Sequence, residues 1–146
     1  MWIDCPYRIV MADDHVLIRQ GLKCILGEKS DLEIIGEAGD GLELLDLLSQ
    51  LAQKSLMPHM VILDISMPKL RGIEAIPLIK SLYPDMKILI LSMHKSQEYF
   101  HHAISVGADG YLLKEDAATE LFSAIEVVKK GGAYVSPLLS KISAKG

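Results

Sequence analysis

The sequence predicts an α/β domain in which five parallel strands alternate with five helices, a doubly wound (βα)5 arrangement. Short apolar runs alternate with amphipathic stretches over residues 8–130, and the runs around Val61 and Ile88 are apolar at consecutive positions. A strand that is apolar on both faces needs helices on both faces of its sheet, so these two runs are predicted to be central. The length of 146 residues, with 50% hydrophobic and 23% charged residues, indicates one folded domain and not a disordered chain.

Five strands are predicted from apolar or β-branched runs that end at a polar or turn residue. The second run also alternates partly between polar and apolar residues, and a Gly39-Asp40-Gly41 turn follows it. In chain order the predicted strands cover residues 8–12, 32–38, 60–63, 87–91 and 110–113.

Five helices are predicted between and after these strands, because apolar residues recur there at three- and four-residue intervals. Asp40 and Ser96 are residue types that cap helix N-termini, and the Gly131-Gly132 pair is typical of a helix end. The predicted helices cover residues 15–28, 41–53, 73–82, 97–106 and 121–130.

Composition and charge exclude several classes of function. A formal net charge of -4 and an isoelectric point near 5.7 make the chain a poor nucleic-acid binder. Polar residues interrupt each apolar run well before the roughly 18 residues that a membrane span needs. The N-terminus shows no secretion signal, and Cys5 and Cys24 indicate reduced thiols, not a metal-like pair. We therefore expect a cytoplasmic protein without membrane contact.

Reactive side chains follow four of the five predicted strands. Asp13 and Asp14 follow the first strand, and Asp64, Ser92 and Lys114 follow the third, fourth and fifth. Because ligands bind outside the carboxyl ends of strands in an open parallel sheet, these side chains are expected to converge at one edge. Each alone has a plainer explanation as a helix cap, a turn residue or a solvated charge, but the whole set is harder to explain in that way.

The predicted cluster has the chemistry of a phosphoryl-transfer site. Neighbouring carboxylates raise one another's pKa or bind a cation. Mg²⁺ prefers oxygen ligands, and waters and a phosphate oxygen can complete its coordination. A lysine and a hydroxyl beside the ion could hold the remaining phosphoryl oxygens. A carboxylate can itself act as the nucleophile and form an aspartyl phosphate.

Four motifs lie around the predicted site: Ala12-Asp13-Asp14-His15, Leu63 to Pro68, Leu91 to His94, and Gly107 to Lys114. In combination they resemble the receiver domain of two-component response regulators. The resemblance runs from about residue 8 to residue 137, and it implies a flavodoxin-like receiver fold with five strands. Asp14-His15, residues 35–38, residues 92–94 and residues 132–137 are most similar to the NarL/FixJ (LuxR-type) subfamily.

The resemblance implies a role for each site residue. Asp64 would accept the phosphoryl group, Ser92 and Lys114 would hold it, and Tyr111 would be the aromatic switch residue. Movement of Ser92 toward the phosphoryl group would let Tyr111 turn inward. The implied Mg²⁺ ligands are Asp13, Asp14, Asp64 and the backbone carbonyl of Ser66.

The resemblance also implies partners and a domain boundary. A sensor histidine kinase would supply the phosphoryl group, and the phosphorylated receiver could form a homodimer that controls transcription. Members of this subfamily usually carry a C-terminal helix-turn-helix, which is absent from these residues, so DNA would be reached only through such an output domain. We expect residues 7–135 to form the receiver, and residues 136–146 a tail or linker start. The chain is then either cut after the receiver or a stand-alone receiver, and it catalyses only its own phosphorylation and dephosphorylation.

Three other interpretations fit a similar fold. A haloacid-dehalogenase-like phosphatase also forms an aspartyl phosphate, but Ser66 stands where that class needs an acid/base aspartate. A flavodoxin-like FMN binder needs a glycine- and hydroxyl-rich phosphate loop, where Asp13 and Asp14 would repel phosphate. A degenerate receiver that works without phosphorylation is disfavoured by the complete acidic set. The histidines are scattered or, at positions 101 and 102, point about 100° apart on a helix, so no zinc site is predicted.

Overall fold

A sheet of six parallel strands forms the centre of the fold. The computed structural model describes residues 6–67, 70–137 and 139, and the sheet is defined within them. In chain order its strands are β1 (Tyr7–Ala12), β2 (Leu32–Ala38), β3 (Met60–Asp64), β4 (Lys87–Ser92), β5 (Gly110–Leu113) and β6 (Tyr134–Val135). Their order across the sheet is β2-β1-β3-β4-β5-β6, so the winding direction reverses between β1 and β3.

Five α-helices cover the sheet in the described part of the chain. Asp40 caps the second helix by accepting a hydrogen bond from Glu43 N over 2.8 Å, and Ser96 caps the fourth by accepting one from Glu98 N over 3.1 Å, as the sequence predicts. None of these helices is long and apolar enough to span a bilayer. The helices are α1 (Val16–Leu26), α2 (Gly41–Gln53), α3 (Gly72–Leu82), α4 (Gln97–Ser105) and α5 (Ala117–Lys129).

The hydrophobic core lies on both faces of the sheet, as the apolar runs predict. Along β3, Val61 and Leu63 face one layer while Met60 and Ile62 face the other, and all four are at most 2% exposed. The first layer is completed by buried residues of α2, α3 and α4, and the second by buried residues of α1 and α5. Burial of such a side chain contributes about 1.5–3 kcal/mol, so β3 is firmly held at the position where its last residue meets the site.

The prediction of five strands is wrong by one. The chain turns at Gly131, whose φ of 92° lies in the left-handed region, and β6 then pairs with Gly110 and Tyr111 of β5. A strand of two residues is too short to produce an alternating pattern in the sequence. The last helix also begins at Ala117, four residues before the predicted start, because a 3-10 turn over Lys114–Asp116 leads directly into it.

Ser136 and Leu139 follow β6 and pack against the domain. Ser136 Oγ donates to Asp116 Oδ2 over 2.6 Å and accepts a hydrogen bond from Leu113 N over 3.1 Å. Leu139 is fully buried in the layer that contains α4, and its carbonyl accepts a hydrogen bond from Gln97 Nε2 over 3.3 Å. The start of the segment predicted to be a tail is therefore attached to the end of β5 and to α4.

Candidate functional site

The candidate site lies where the winding of the sheet reverses. β1 and β3 are neighbours there, and Ala12 pairs with Leu63, so Asp13 and Asp64 follow at adjacent positions. Two strands whose following helices leave in opposite directions open a crevice between them, which is where ligands bind in this type of sheet. The strand order thus brings together residues that are 51 positions apart in the sequence.

The carboxylates of Asp13, Asp14 and Asp64 converge in this crevice, as expected from the sequence. One oxygen of each and Nδ1 of His15 all lie within 4.8 Å of one another. Asp13 and Asp64 are each 2% exposed, whereas Asp14 is exposed at the rim. The site therefore has a buried acidic floor with an opening to solvent.

Lys114 reaches the same carboxylates from the end of β5. Its Nζ lies 3.1 Å from Asp13 Oδ2 and 3.4 Å from Asp64 Oδ2, and its side chain is 9% exposed. A largely buried ammonium between two buried carboxylates offsets part of their repulsion. One positive charge faces three negative ones, so the cluster keeps room for a further cation.

Asp64 is the carboxylate whose ionisation is most affected by this environment. Burial raises its pKa above the ordinary value of 3.8, and the nearby charge of Asp13 raises it further. A hydrogen bond from Ser66 N to Asp64 Oδ1, over 3.0 Å, and the proximity of Lys114 act in the opposite direction. The balance is a buried anion that is electrostatically unfavourable unless another cation is bound nearby.

The raised pKa of Asp64 predicts how stability depends on pH. An acid with a higher pKa in the folded chain stabilises the fold below its unfolded pKa, and this contribution is lost as pH rises through the folded pKa. We therefore expect Asp64→Asn, which cannot ionise, to exceed wild type in stability at pH 7 in chelator. A gain of about 1 kcal/mol would appear as a few degrees in Tm. In thermal unfolding followed by circular dichroism, the gain should shrink as pH falls toward 3.8, whereas a gain that grows would contradict this electrostatic account.

Ser66 lies on the loop after β3, and Ser92 is the last residue of β4; both border Asp64. Ser92 is fully buried, follows the β4 residue that pairs with Asp64, and accepts a hydrogen bond from His94 N over 2.9 Å. Ser66 Oγ contacts His94 Nε2 at 3.1 Å, and the His94 ring stacks on Tyr99 at 4.2 Å. The loop after β3 is thus joined to the loop after β4 and to α4, a link that the sequence interpretation missed.

Tyr111 already points inward in this structure. It is fully buried, its hydroxyl donates to the His94 carbonyl over 2.9 Å, and its ring meets Phe100 edge-on at 5.7 Å. Burial also raises the pKa of the Tyr111 hydroxyl, with the side chain of Ser92 acting against that rise. The structure thus already holds the ring in the inward position that the sequence interpretation expected after phosphorylation, and the effect of phosphorylation on this ring stays a prediction.

The donor set fits a hard divalent cation. Three carboxylates contribute oxygen atoms, and Asp13 Oδ2 is a buried oxygen that accepts no hydrogen bond from any described residue. Mg²⁺ takes one or two carboxylates and keeps several waters, which matches a buried floor with an open rim. The acidic cluster could therefore hold such an ion.

Comparisons with known proteins agree with the fold. The response regulator receiver domain family matches residues 9–126. The transcriptional regulatory protein DegU of Brevibacillus brevis is 40% identical over 130 residues, which cover 89% of this chain and 53% of that protein. The chain belongs to the response regulator receiver domain family.

Solved structures point to the same class. The crystal structure of a LuxR-family two-component response regulator from Aurantimonas sp. SI85-9A1 aligns with a TM-score of 0.87, 29% identity and coverage of 96% of both chains. A structure of two RcsB dimers bound to two parallel DNAs aligns with a TM-score of 0.83 and 27% identity, covering 93% of this chain and 66% of that one. This chain is thus a receiver domain whose relatives are NarL/DegU/LuxR-type regulators, and it spans 53% to 59% of the length of eight such curated relatives.

Proposed function

We propose that this receiver is a phosphorylation-controlled switch in which Asp64 accepts a phosphoryl group from the phosphohistidine of a sensor histidine kinase. The observation that carries the proposal is the position of Asp64, buried at the end of β3 beside Asp13 and Lys114. Burial and the charge of Asp13 raise the pKa of this carboxylate, which makes its ionised form a more basic nucleophile toward phosphorus. Family membership gives no support to the phosphatase alternative.

The proposed step is a phosphoryl transfer between two nucleophiles. A carboxylate oxygen of Asp64 forms a bond to phosphorus while the bond from phosphorus to the donor's imidazole nitrogen breaks, and that nitrogen keeps the electron pair. Lys114 Nζ lies beside Asp64 Oδ2 and would pair with the transferred phosphoryl oxygens. The Ser92 hydroxyl accepts from His94 N through an oxygen lone pair and also bonds to the Tyr111 side chain, so its hydrogen would turn from Tyr111 to a phosphoryl oxygen.

The same proposal assigns the metal ligands. Asp13, Asp14, Asp64 and the backbone carbonyl of Ser66 would hold Mg²⁺, and Ser66 is positioned by its own N–H bond to Asp64 Oδ1. When bound, the ion supplies positive charge that neutralises the phosphoryl oxygens and orients them. Asp13 and Asp64, as buried anions, would gain the counter-charge that Lys114 alone does not provide.

The output of the switch is proposed from the relatives. Because DegU is named a transcriptional regulatory protein and RcsB dimers have been seen on DNA, we expect phosphorylation to promote homodimerisation and to control transcription. The acidic receiver would meet DNA only through an output domain. We propose that residues 7–135 form the receiver and that residues 136–146 lead toward such a domain. The protein would be cytoplasmic, and it would catalyse only its own phosphorylation and dephosphorylation.

Intact-mass spectrometry with a small acyl-phosphate donor tests the proposed function. We expect the protein to gain the mass of one phosphoryl group when Mg²⁺ is present, and to gain none when a chelator removes it. Neutral hydroxylamine should remove the phosphoryl group, because it attacks an acyl phosphate to leave a hydroxamate, whereas a phosphoserine does not react with it. A gain that is independent of Mg²⁺, or stable to hydroxylamine, would contradict the proposal.

A further inference from the structure

His15 occupies an unusual place at the start of α1. It stands at the N-cap position, yet its side chain makes no capping hydrogen bond to the helix. Its ring turns instead toward the acidic cluster, where Nδ1 lies 3.0 Å from Asp13 Oδ1, 3.3 Å from Asp14 Oδ1 and 3.9 Å from Asp64 Oδ2. The imidazole is therefore the fourth donor group of the cluster.

His15 Nδ1 cannot make a favourable hydrogen bond with the carboxylates and with Lys114 at the same time. That nitrogen has one in-plane position, which carries either a hydrogen or a lone pair. A hydrogen there can be donated to Asp13 Oδ1 but then faces Lys114 Nζ, which lies 3.2 Å away and is also a donor. A lone pair can accept from Lys114 but then faces three carboxylate oxygens. A cation bound between Nδ1 and these oxygens would resolve the conflict, because each of them would offer it a lone pair.

A second atom in the cluster lacks a hydrogen-bond partner among the described residues, although it has an ion-pair contact. The Asp13 side chain is 4% exposed, and its Oδ2 accepts no hydrogen bond within the described part of the chain. Lys114 Nζ is 3.1 Å from this oxygen, but the pair lacks hydrogen-bond geometry. A buried carboxylate oxygen of this kind is a free ligand position that points into the cluster.

The spacing of the four groups suits a first-row transition ion. Zn²⁺ binds carboxylate oxygen and imidazole nitrogen at about 2.0–2.2 Å in tetrahedral sites, which places neighbouring ligand atoms about 3.4 Å apart. The distances from His15 Nδ1 to the three carboxylates, 3.0, 3.3 and 3.9 Å, lie around this value. Imidazole is a poor ligand for Mg²⁺ and a good one for Zn²⁺ and similar ions.

We infer that His15 Nδ1 joins Asp13, Asp14 and Asp64 in a second mode of metal binding, in which the site takes an imidazole-preferring divalent ion such as Zn²⁺. His15 determines metal preference in this mode, and Mg²⁺ uses the carboxylates without it. The two ions share three ligands and therefore bind in competition. The sequence interpretation, by contrast, judged the histidines too scattered for a zinc site.

Calorimetric titration of the metal-free protein with Zn²⁺ and, separately, with Mg²⁺ tests this assignment. We expect His15→Ala to lose at least about tenfold in Zn²⁺ affinity, since even outer-shell partners of a metal ligand change affinity by about 10- to 100-fold. Its Mg²⁺ affinity should stay that of wild type. His101→Ala, which removes an exposed histidine from α4, is the matched control and should leave both affinities unchanged. Circular dichroism of each variant checks that it is folded.

Nitrogen NMR of the imidazole rings identifies the ligand atom directly. Zn²⁺ should shift the Nδ1 resonance of His15, and Mg²⁺ should not. Equal Zn²⁺ affinity in wild type and His15→Ala, or a shift confined to His101 and His102, would overturn the inference. A higher affinity of His15→Ala for both ions would also overturn it, since the ring would then be an obstruction and not a ligand. These readouts involve no phosphorylation, so their failure leaves the proposed function untouched.

Discussion

Replacement of Asp64 by Asn is expected to abolish phosphorylation of this domain. The amide keeps the size of the side chain and can still accept the hydrogen bond from Ser66 N, which is 3.0 Å long in the wild-type chain. It cannot form an acyl phosphate, because an amide oxygen is not a nucleophile of comparable strength. Intact mass after treatment with an acyl-phosphate donor and Mg²⁺ should therefore show no added phosphoryl group.

A matched control separates loss of the acceptor from loss of the fold. Asp85 is exposed and precedes β4, at the opposite end of the sheet from Asp64, so Asp85→Asn should be phosphorylated like wild type. Asp64→Asn should also unfold at a temperature no lower than wild type, for the electrostatic reason given above. A full mass gain in a folded Asp64→Asn protein would show that the acceptor is elsewhere.

Removal of the Ser92 hydroxyl is expected to separate phosphorylation from switching. A chain of hydrogen bonds starts at Ser92 Oγ, which accepts from His94 N over 2.9 Å, and continues from the His94 carbonyl to the Tyr111 hydroxyl, also over 2.9 Å. A phosphoryl group on Asp64 would attract Ser92 as a donor and move this chain. Since Tyr111 is already inward, the movement would change how its ring packs on Phe100 of α4 and not whether it is buried.

Amide NMR with the phosphoryl mimic BeF3⁻ measures this coupling. Wild type should show large shifts at His94, Tyr111 and α4, whereas Ser92→Ala should bind the mimic and show most of these shifts reduced. Ser105→Ala, which removes an exposed hydroxyl at the end of α4, should respond like wild type. The mimic can shift the equilibrium between the two conformations only through contacts that differ between them. A variant that lacks one of these contacts should therefore show smaller chemical-shift changes. Full shifts at His94 and Tyr111 in Ser92→Ala would show that another group carries the coupling.

The convergence of the site residues could be predicted because it follows from topology. Residues that end parallel strands of one sheet share an edge, so Asp13, Asp64 and Lys114 needed only the strand pattern to be placed together. The core strand around Val61 was equally predictable, since full burial on both faces leaves an unbroken apolar run.

Features that depend on tertiary contacts were not predictable in this way. β6 has two residues and forms because Gly110 and Tyr111 offer a free edge, which no local pattern records. The inward position of Tyr111 depends on the His94 carbonyl, which lies on a separate loop. In each case the determining partner is remote, so spacing alone could not reveal it.

The central claim is that Asp64 carries the phosphoryl group, and peptide mapping after borohydride reduction tests it most directly. Hydride reduces an aspartyl phosphate to homoserine with release of phosphate, which leaves a permanent mass change at the modified residue. The account predicts homoserine at position 64 in protein treated with acyl phosphate and Mg²⁺, and none at Asp13, at Asp14 or in protein treated with chelator. Homoserine at either of the other two aspartates, with Asp64 unmodified, would contradict it.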